Sequence, residues 1–231
     1  VIAIIPQDSG YFLLADEAVV GMFPAARIVA ELKALLTDRL AATTDDNSFL
    51  IHAALLARDD EGILLSGPSG AGKTTLSVAL AAEGWSYAAD DIVRVSPALG
   101  FEGVRFSPAI KSGAWPLLFS HVPQLPHLPI HLRRDGQTVR YLPIDGSPPK
   151  IGRLAWGFLL SRHEGAAAAL EPVEPLAFLS EILNGAFSAR GQLRGDALEA
   201  LVDRLSTIAC RRLIYSDLAG AVGLLRETVH A

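Results

Sequence analysis

The chain has 231 residues and a mass of 24.5 kDa, the size of one large domain or of a domain with a small annex. Hydrophobic residues make up 50% of it and charged residues 19%, which excludes a disordered chain and provides for a substantial core. With 20 Lys+Arg against 25 Asp+Glu and a net charge of −5, a strongly basic nucleic-acid binder is disfavoured, although a local basic groove around a phosphate is not.

Residues 1–48 read as a small leading α+β unit. Short β-type runs at 2–5 and 11–14 flank the turn cluster Pro6-Gln7-Asp8-Ser9-Gly10. The opening VIAIIPQDSG has no basic stretch leading to a small-residue cleavage site, so it does not read as a signal peptide. It begins without Met, and the first residues are expected to be missing. Over residues 25–40, Ile28, Val29, Leu32, Leu35, Leu36 and Leu40 recur at the spacing of one helix face. Residues 41–48 read as a polar loop, where Asp45, Asp46 and Asn47 fit a solvated turn better than a metal cluster.

From residue 49 the pattern changes, and residues 49–231 read as one catalytic α/β domain. Residues 49–56 predict a strand, 58–62 a tight polar turn, and 63–65 a second strand that enters a glycine-rich loop. A helix is predicted over 75–83 with Gly84 as its stop, then a strand over 85–89 closed by Asp90-Asp91. The stretch 92–141 is rich in Pro and Gly and reads as short strands and long functional loops. A buried strand is predicted over 154–160, helices over 175–187 and 197–208, an edge strand over 211–215, and a closing helix over 217–229. Mean hydropathy is +0.33. Yet Arg58, Asp59, Asp60 and Glu61 break the apolar run 51–65, and nothing approaches the ~20 apolar residues of a spanning helix. A single cysteine, Cys210, excludes an internal disulfide and fits a reducing, cytoplasmic location.

Gly67-Pro68-Ser69-Gly70-Ala71-Gly72-Lys73-Thr74 matches G-x-x-x-x-G-K-[ST] between a predicted strand and a predicted helix, with Thr75 following. Glycines let the backbone N–H groups turn inward as an anion nest at a helix N-terminus. Lys73 is expected to neutralise the β- and γ-phosphates of a nucleoside triphosphate, and the Thr74 hydroxyl to ligate Mg²⁺. Asp90-Asp91 follows after one short helix and one short strand, so a βαβ unit would bring both carboxylates beside the loop. Adjacent side chains on an extended backbone diverge, so the two are expected to do different work. The competing reading is a helix cap or a solvated acidic turn.

His52, fifteen residues ahead of Gly67, together with the strand–turn–strand, the GPSGAGKT loop and the run Tyr87-Ala88-Ala89-Asp90-Asp91, resembles the C-terminal catalytic domain of HPr kinase/phosphorylase. The likeness is specific over residues 50–92. It implies a P-loop kinase fold of the HPr kinase/phosphoenolpyruvate carboxykinase-like type, with a mixed central sheet and flanking helices. It also implies ATP and Mg²⁺, His52 in the active site, Asp90 as the base toward an acceptor serine, and Asp91 assisting the metal. The family's Glu-x-Arg-Gly segment has only a loose echo in Phe101-Glu102-Gly103-Val104-Arg105. Residues 107–116 are instead similar to the stand-alone, HPr kinase-related branch that includes lasso-peptide precursor kinases. The implied partner is therefore a serine-bearing protein or peptide, HPr-like or a modified-peptide precursor, and the parent family's hexamers imply a homo-oligomer. Two other readings stay open: an ATP-binding regulatory module without transfer, and a kinase of a small hydroxylated metabolite.

Outside the motif, Lys111 and Arg162 are candidate second cations for the phosphates, each weighed against a solvated or ion-paired surface role. Arg133 and Arg134 read as a hairpin rim before Asp135-Gly136. Trp115 and Trp156 read as packing aromatics. His121, His127 and His131 lie among prolines without ligand-like spacing.

Overall fold

The computed structural model describes residues 1–44, 48–96, 100–187 and 195–230. The acidic stretch Asp45-Asp46-Asn47 lies outside the described residues. The chain opens on an antiparallel meander of β1 (Ile2–Gln7), β2 (Gly10–Ala15) and β3 (Ala18–Phe23). The strand β3 was not expected, because the large side chains of Val19, Val20 and Met22 are all exposed and leave no buried alternation to read. The helix α1 (Ala25–Thr43) follows and runs three residues past its expected end.

The elements after it are β4 (Phe49–Ile51), β5 (Ala54–Arg58), β6 (Glu61–Ser66), α2 (Lys73–Ala82), β7 (Ser86–Ala89), β8 (Val93–Ser96) and β9 (Gly100–Gly103). Then come β10 (Ala109–Lys111), α3 (Trp115–Leu118), β11 (His131–Leu132), β12 (Thr138–Tyr141), β13 (Arg153–Arg162) and β14 (Ala169–Pro172). The chain closes with α4 (Pro175–Asn184), β15 (Ala186–Phe187), α5 (Gly195–Ser206), β16 (Ala209–Tyr215) and α6 (Leu218–His230).

The architecture is mixed α/β. Its central sheet has six strands in the order β14-β16-β13-β6-β5-β7. The three strands β6, β13 and β16 are mutually parallel, and the rest pair antiparallel. Alternation along the central strands feeds two cores. Ile63, Leu65, Phe158 and Leu160 face Leu76, Leu80, Val222 and Leu225 of α2 and α6. Leu64 and Leu159 face Phe178, Leu179 and Ile182 of α4 and Leu201 of α5, together with Phe49 and Val95 of the second sheet. Both faces of these strands are covered, so they read as continuous apolar runs. Gly157 permits this packing, because a Cβ there would sit 2.5 Å from Phe178 Cζ.

Four expectations are corrected. The predicted strand 49–56 is two strands in two sheets, β4 pairing with β8 and β15 while β5 pairs with β6 and β7, and the chain changes sheets at His52-Ala53. The predicted helix 175–187 ends at Asn184, and Gly185 leads into β15. The segment 211–215 is not an edge strand, because β14 pairs along its outer side and sets Glu171 opposite Arg212. The strand β7 is separated from β6 by β5, so the expected side-by-side βαβ unit is interrupted, although the end of β7 still reaches the glycine-rich loop. Among the described residues no helix is long and apolar enough to cross a membrane.

Candidate active site

The loop 67–72 leaves the carboxyl end of β6 and enters α2 through Gly72, whose φ of +95° an L side chain rarely adopts. A Cβ at Gly72 would lie 2.3 Å from the Tyr215 hydroxyl. That hydroxyl donates to the Ala71 carbonyl at 2.5 Å and pins the loop to the end of β16. Among the described residues, no backbone carbonyl accepts from the N–H groups of Gly70, Gly72, Lys73, Thr74 or Thr75. They form the open donor end of α2. The Lys73 ammonium donates across the loop to the Gly67 carbonyl at 2.6 Å and the Pro68 carbonyl at 3.2 Å. Burial lowers the pKa of Lys73, partly opposed by the Asp91 charge.

Both members of the acidic pair reach this loop, by different routes. Asp90 is 4% exposed. Its Oδ1 lies 2.9 Å from the Tyr87 hydroxyl, which also lies 3.1 Å from the Phe106 carbonyl, and Thr74 is near enough to the same carboxylate to oppose the rise of its pKa. Burial pushes the Asp90 pKa up, and the nearby Asp91 charge adds to this against the attraction of Lys33. Burial and the Asp90 charge likewise push Tyr87 up, so it stays a neutral donor. Asp91 turns the other way. Its Oδ1 is 2.9 Å from His52 Nδ1 and its Oδ2 is 2.6 Å from the Lys33 ammonium. Burial alone would raise its pKa, but the His52 hydrogen bond and the Lys33 charge hold it well below the usual carboxylate range. Two adjacent acids are thus driven apart, the arrangement that lets one site run two roles.

These groups line a cavity of about 500 Å³. His52, Ser69, Gly70, Gly72, Lys73, Thr74, Thr75, Asp90 and Asp91 all border it, whereas Pro68 and Ala71 shape the loop without lining the cavity. The candidate cations Lys111 and Arg162 border it too, and so does Arg133 of the hairpin rim. Lys111 is near enough to depress Lys73, and among the described residues neither Lys111 nor Arg162 forms an ion pair with an acid of the site. His52, on the strand break rather than in an apolar strand, has a half-exposed side chain. Of the remaining candidates, Arg134 pairs with buried Glu31 at 2.6 Å. Trp115 donates to the Ile110 carbonyl, and Trp156 stacks on Phe158.

Sequence reasoning missed Lys33 and the segment Tyr215-Ser216-Asp217-Leu218, all of which border the cavity. The second has a signal in hindsight, since ligands collect outside the carboxyl ends of parallel strands and β16 ends at Tyr215. Lys33 has none, being one polar residue on an amphipathic helix. Among the described residues no group of three or more His, Cys, Asp and Glu side chains forms a protein-only metal cage. Thr74, Asp90 and Asp91 offer hard oxygen donors at the mouth of an anion nest. That donor set fits Mg²⁺, which is commonly held by one or two carboxylates plus substrate phosphates. No family model matches the chain, and a search of curated proteins returns no match either.

Proposed function

We propose that the chain is an ATP-dependent phosphotransferase of the HPr kinase-like P-loop type, acting on a serine hydroxyl. The observation that carries this reading is one cavity bordered both by Lys73 and Thr74 of the glycine-rich motif and by the twin acids Asp90 and Asp91. It joins the phosphate cradle to carboxylates that an unrelated glycine turn would have no reason to recruit. ATP brings the transferable γ-phosphoryl group, and Mg²⁺ offsets its charge. The open N–H groups at the start of α2 and the Lys73 ammonium hold the phosphates. Lys111 and Arg162 supply positive charge where it develops on the moving group.

The placement of the two acids favours an exchange of the roles that the resemblance implies. Asp90, buried beside Thr74, suits the metal side. Asp91, kept ionised by His52 and Lys33 on the cavity side, suits the acceptor hydroxyl, which it would orient and whose proton it would take late, after the phosphoryl group has largely left ATP. Positioning and electrostatics supply most of the acceleration in such sites. The acceptor class, a protein or peptide serine, follows from the resemblance.

Calorimetry with Mg·ADP and transfer of labelled γ-phosphate from Mg·ATP to a serine-peptide mixture, beside a panel of small hydroxy acids, test the reading. Binding heat and labelled peptide are expected, both lost in Lys73→Ala. Absence of heat with the wild-type chain overturns the reading. Binding without transfer supports the regulatory-module alternative, and label on a small acid supports the metabolite kinase.

A further inference from the structure

We infer that Lys33, carried in from α1, is a positioning residue of this site: its ammonium holds the Asp91 carboxylate against His52 and toward the cavity. The inference rests on the phosphotransferase reading above and adds a contribution from the leading unit. Lys33 is the one residue ahead of residue 49 that borders the cavity, among the described residues. Its Nζ takes one oxygen of Asp91 at 2.6 Å while His52 Nδ1 takes the other at 2.9 Å. A carboxylate with each oxygen claimed by a different donor is fixed in rotation about its Cβ–Cγ bond as well as in position. His52 alone, on a half-exposed side chain, would leave that rotation free. The Lys33 side chain is well covered and its ammonium lies 5.5 Å from the Phe106 ring centroid, which holds the stem in one direction.

The helix that delivers Lys33 is itself fixed to the wall of the site. Two residues earlier, and about 200° around the helix at 3.6 residues per turn, Glu31 is buried between Arg27 at 3.0 Å and Arg134 of the β11–β12 hairpin at 2.6 Å. The strand β11 packs against α1 as well. The Glu31 pairs and the packing on β11 therefore fix α1 from the side opposite Asp91, and Lys33 projects from a fixed mount. A half-buried ion pair is a poor device for stability alone, because desolvation offsets its Coulomb energy. Its worth here is orientation, where a misplacement of one ångström can cost about 10²-fold in rate.

The test compares wild type, Lys33→Met, which keeps the stem over Phe106, and Lys33→Arg, which restores the charge. Three readouts are taken: thermal melting, calorimetric affinity for Mg·ADP, and kcat and KM for Mg·ATP turnover with water as acceptor. The expected result for Lys33→Met is an Mg·ADP affinity and a KM close to wild type with kcat lowered by about 10²-fold, and substantial recovery of kcat in Lys33→Arg. Should Lys33→Met not fold, Lys33→Gln carries the same comparison. Wild-type kcat in the neutral variant overturns the inference. So does an equal loss of Mg·ADP affinity, which makes Lys33 a phosphate cation, and so does an Lys33→Arg variant no better than Lys33→Met. A wild-type chain that neither binds Mg·ADP nor turns over ATP defeats the phosphotransferase reading itself, which separates that failure from one confined to Lys33.

Discussion

The hydroxyl of Tyr215 donates to the carbonyl of Ala71 at 2.5 Å, tying the last residue of β16 to the middle of the glycine-rich loop across 144 positions of sequence. The same hydroxyl occupies the space that a Cβ at Gly72 would need. The loop therefore does not hold its shape by glycine content alone. A side chain from the far end of the chain sets it. Tyr215→Phe is expected to lower stability by about 1 kcal/mol, the net value of one hydrogen bond, and to weaken Mg·ADP by loosening the cradle. Denaturant unfolding reads the first effect and calorimetry the second. An unchanged unfolding midpoint would remove the hydroxyl from the account.

A pH dependence follows from Asp90. Its folded-state pKa lies above the ordinary value of 3.8, mainly through burial. For an acid raised in this way, the contribution to stability is complete below the unfolded pKa and is lost as pH rises through the folded one. The Asp90→Asn variant does not titrate in that window. It is therefore expected to melt above wild type at neutral pH, with the gap closing as pH falls toward 3.8. Paired melting curves across that range check the sign. A wild type that gains on the variant as pH rises would place the Asp90 shift in the opposite direction.

The glycine-rich loop, the strand before it and the helix after it were legible because every feature of that unit is local in sequence. The apolar runs of β6 and β13 were legible because both faces of each strand are buried. What failed was whatever depended on a distant partner. Arg211 and Arg212 made β16 look like an edge, and the covering strand β14 is four residues ending in Pro172, too short to announce itself. The run from Phe49 to Leu56 is apolar but for His52, and hydropathy does not record that the chain leaves one sheet for another there. Divergence of Asp90 and Asp91 was expected from an extended backbone, but which of them meets Thr74 depends on how β7 docks. Lys33 was invisible for the same reason, since helical periodicity marks the buried face and leaves open what the polar face meets.

Gly157 gives a prediction that stands apart from any function. A Cβ at this position would lie 2.5 Å from Phe178 Cζ and 2.9 Å from Cε2, and Phe178 is fully buried. Gly157→Val forces a side chain into space already filled, at a cost of about 1–3 kcal/mol for overpacking. Loss of several degrees in Tm is expected. Combining it with Phe178→Leu should recover part of that loss, because the collision is with the ring. A double variant no better than the sum of its parts would mean that the strain resides elsewhere in β13.

The two carboxylates can be told apart by what each loses when its charge is removed. If Asp91 faces the acceptor, Asp91→Asn leaves the cradle, Lys73 and Thr74 as they are, so Mg·ADP affinity is retained. Transfer then falls by the ~10²–10⁴-fold that a general base supplies. If Asp90 supports the metal beside Thr74, Asp90→Asn weakens the donor set for a hard cation, and the Mg²⁺ concentration needed for half-maximal turnover rises while excess Mg²⁺ restores much of the rate. A magnesium titration of both variants separates the roles. The opposite pattern, with Asp90→Asn losing transfer at saturating Mg²⁺ and Asp91→Asn rescued by it, would return the base to Asp90.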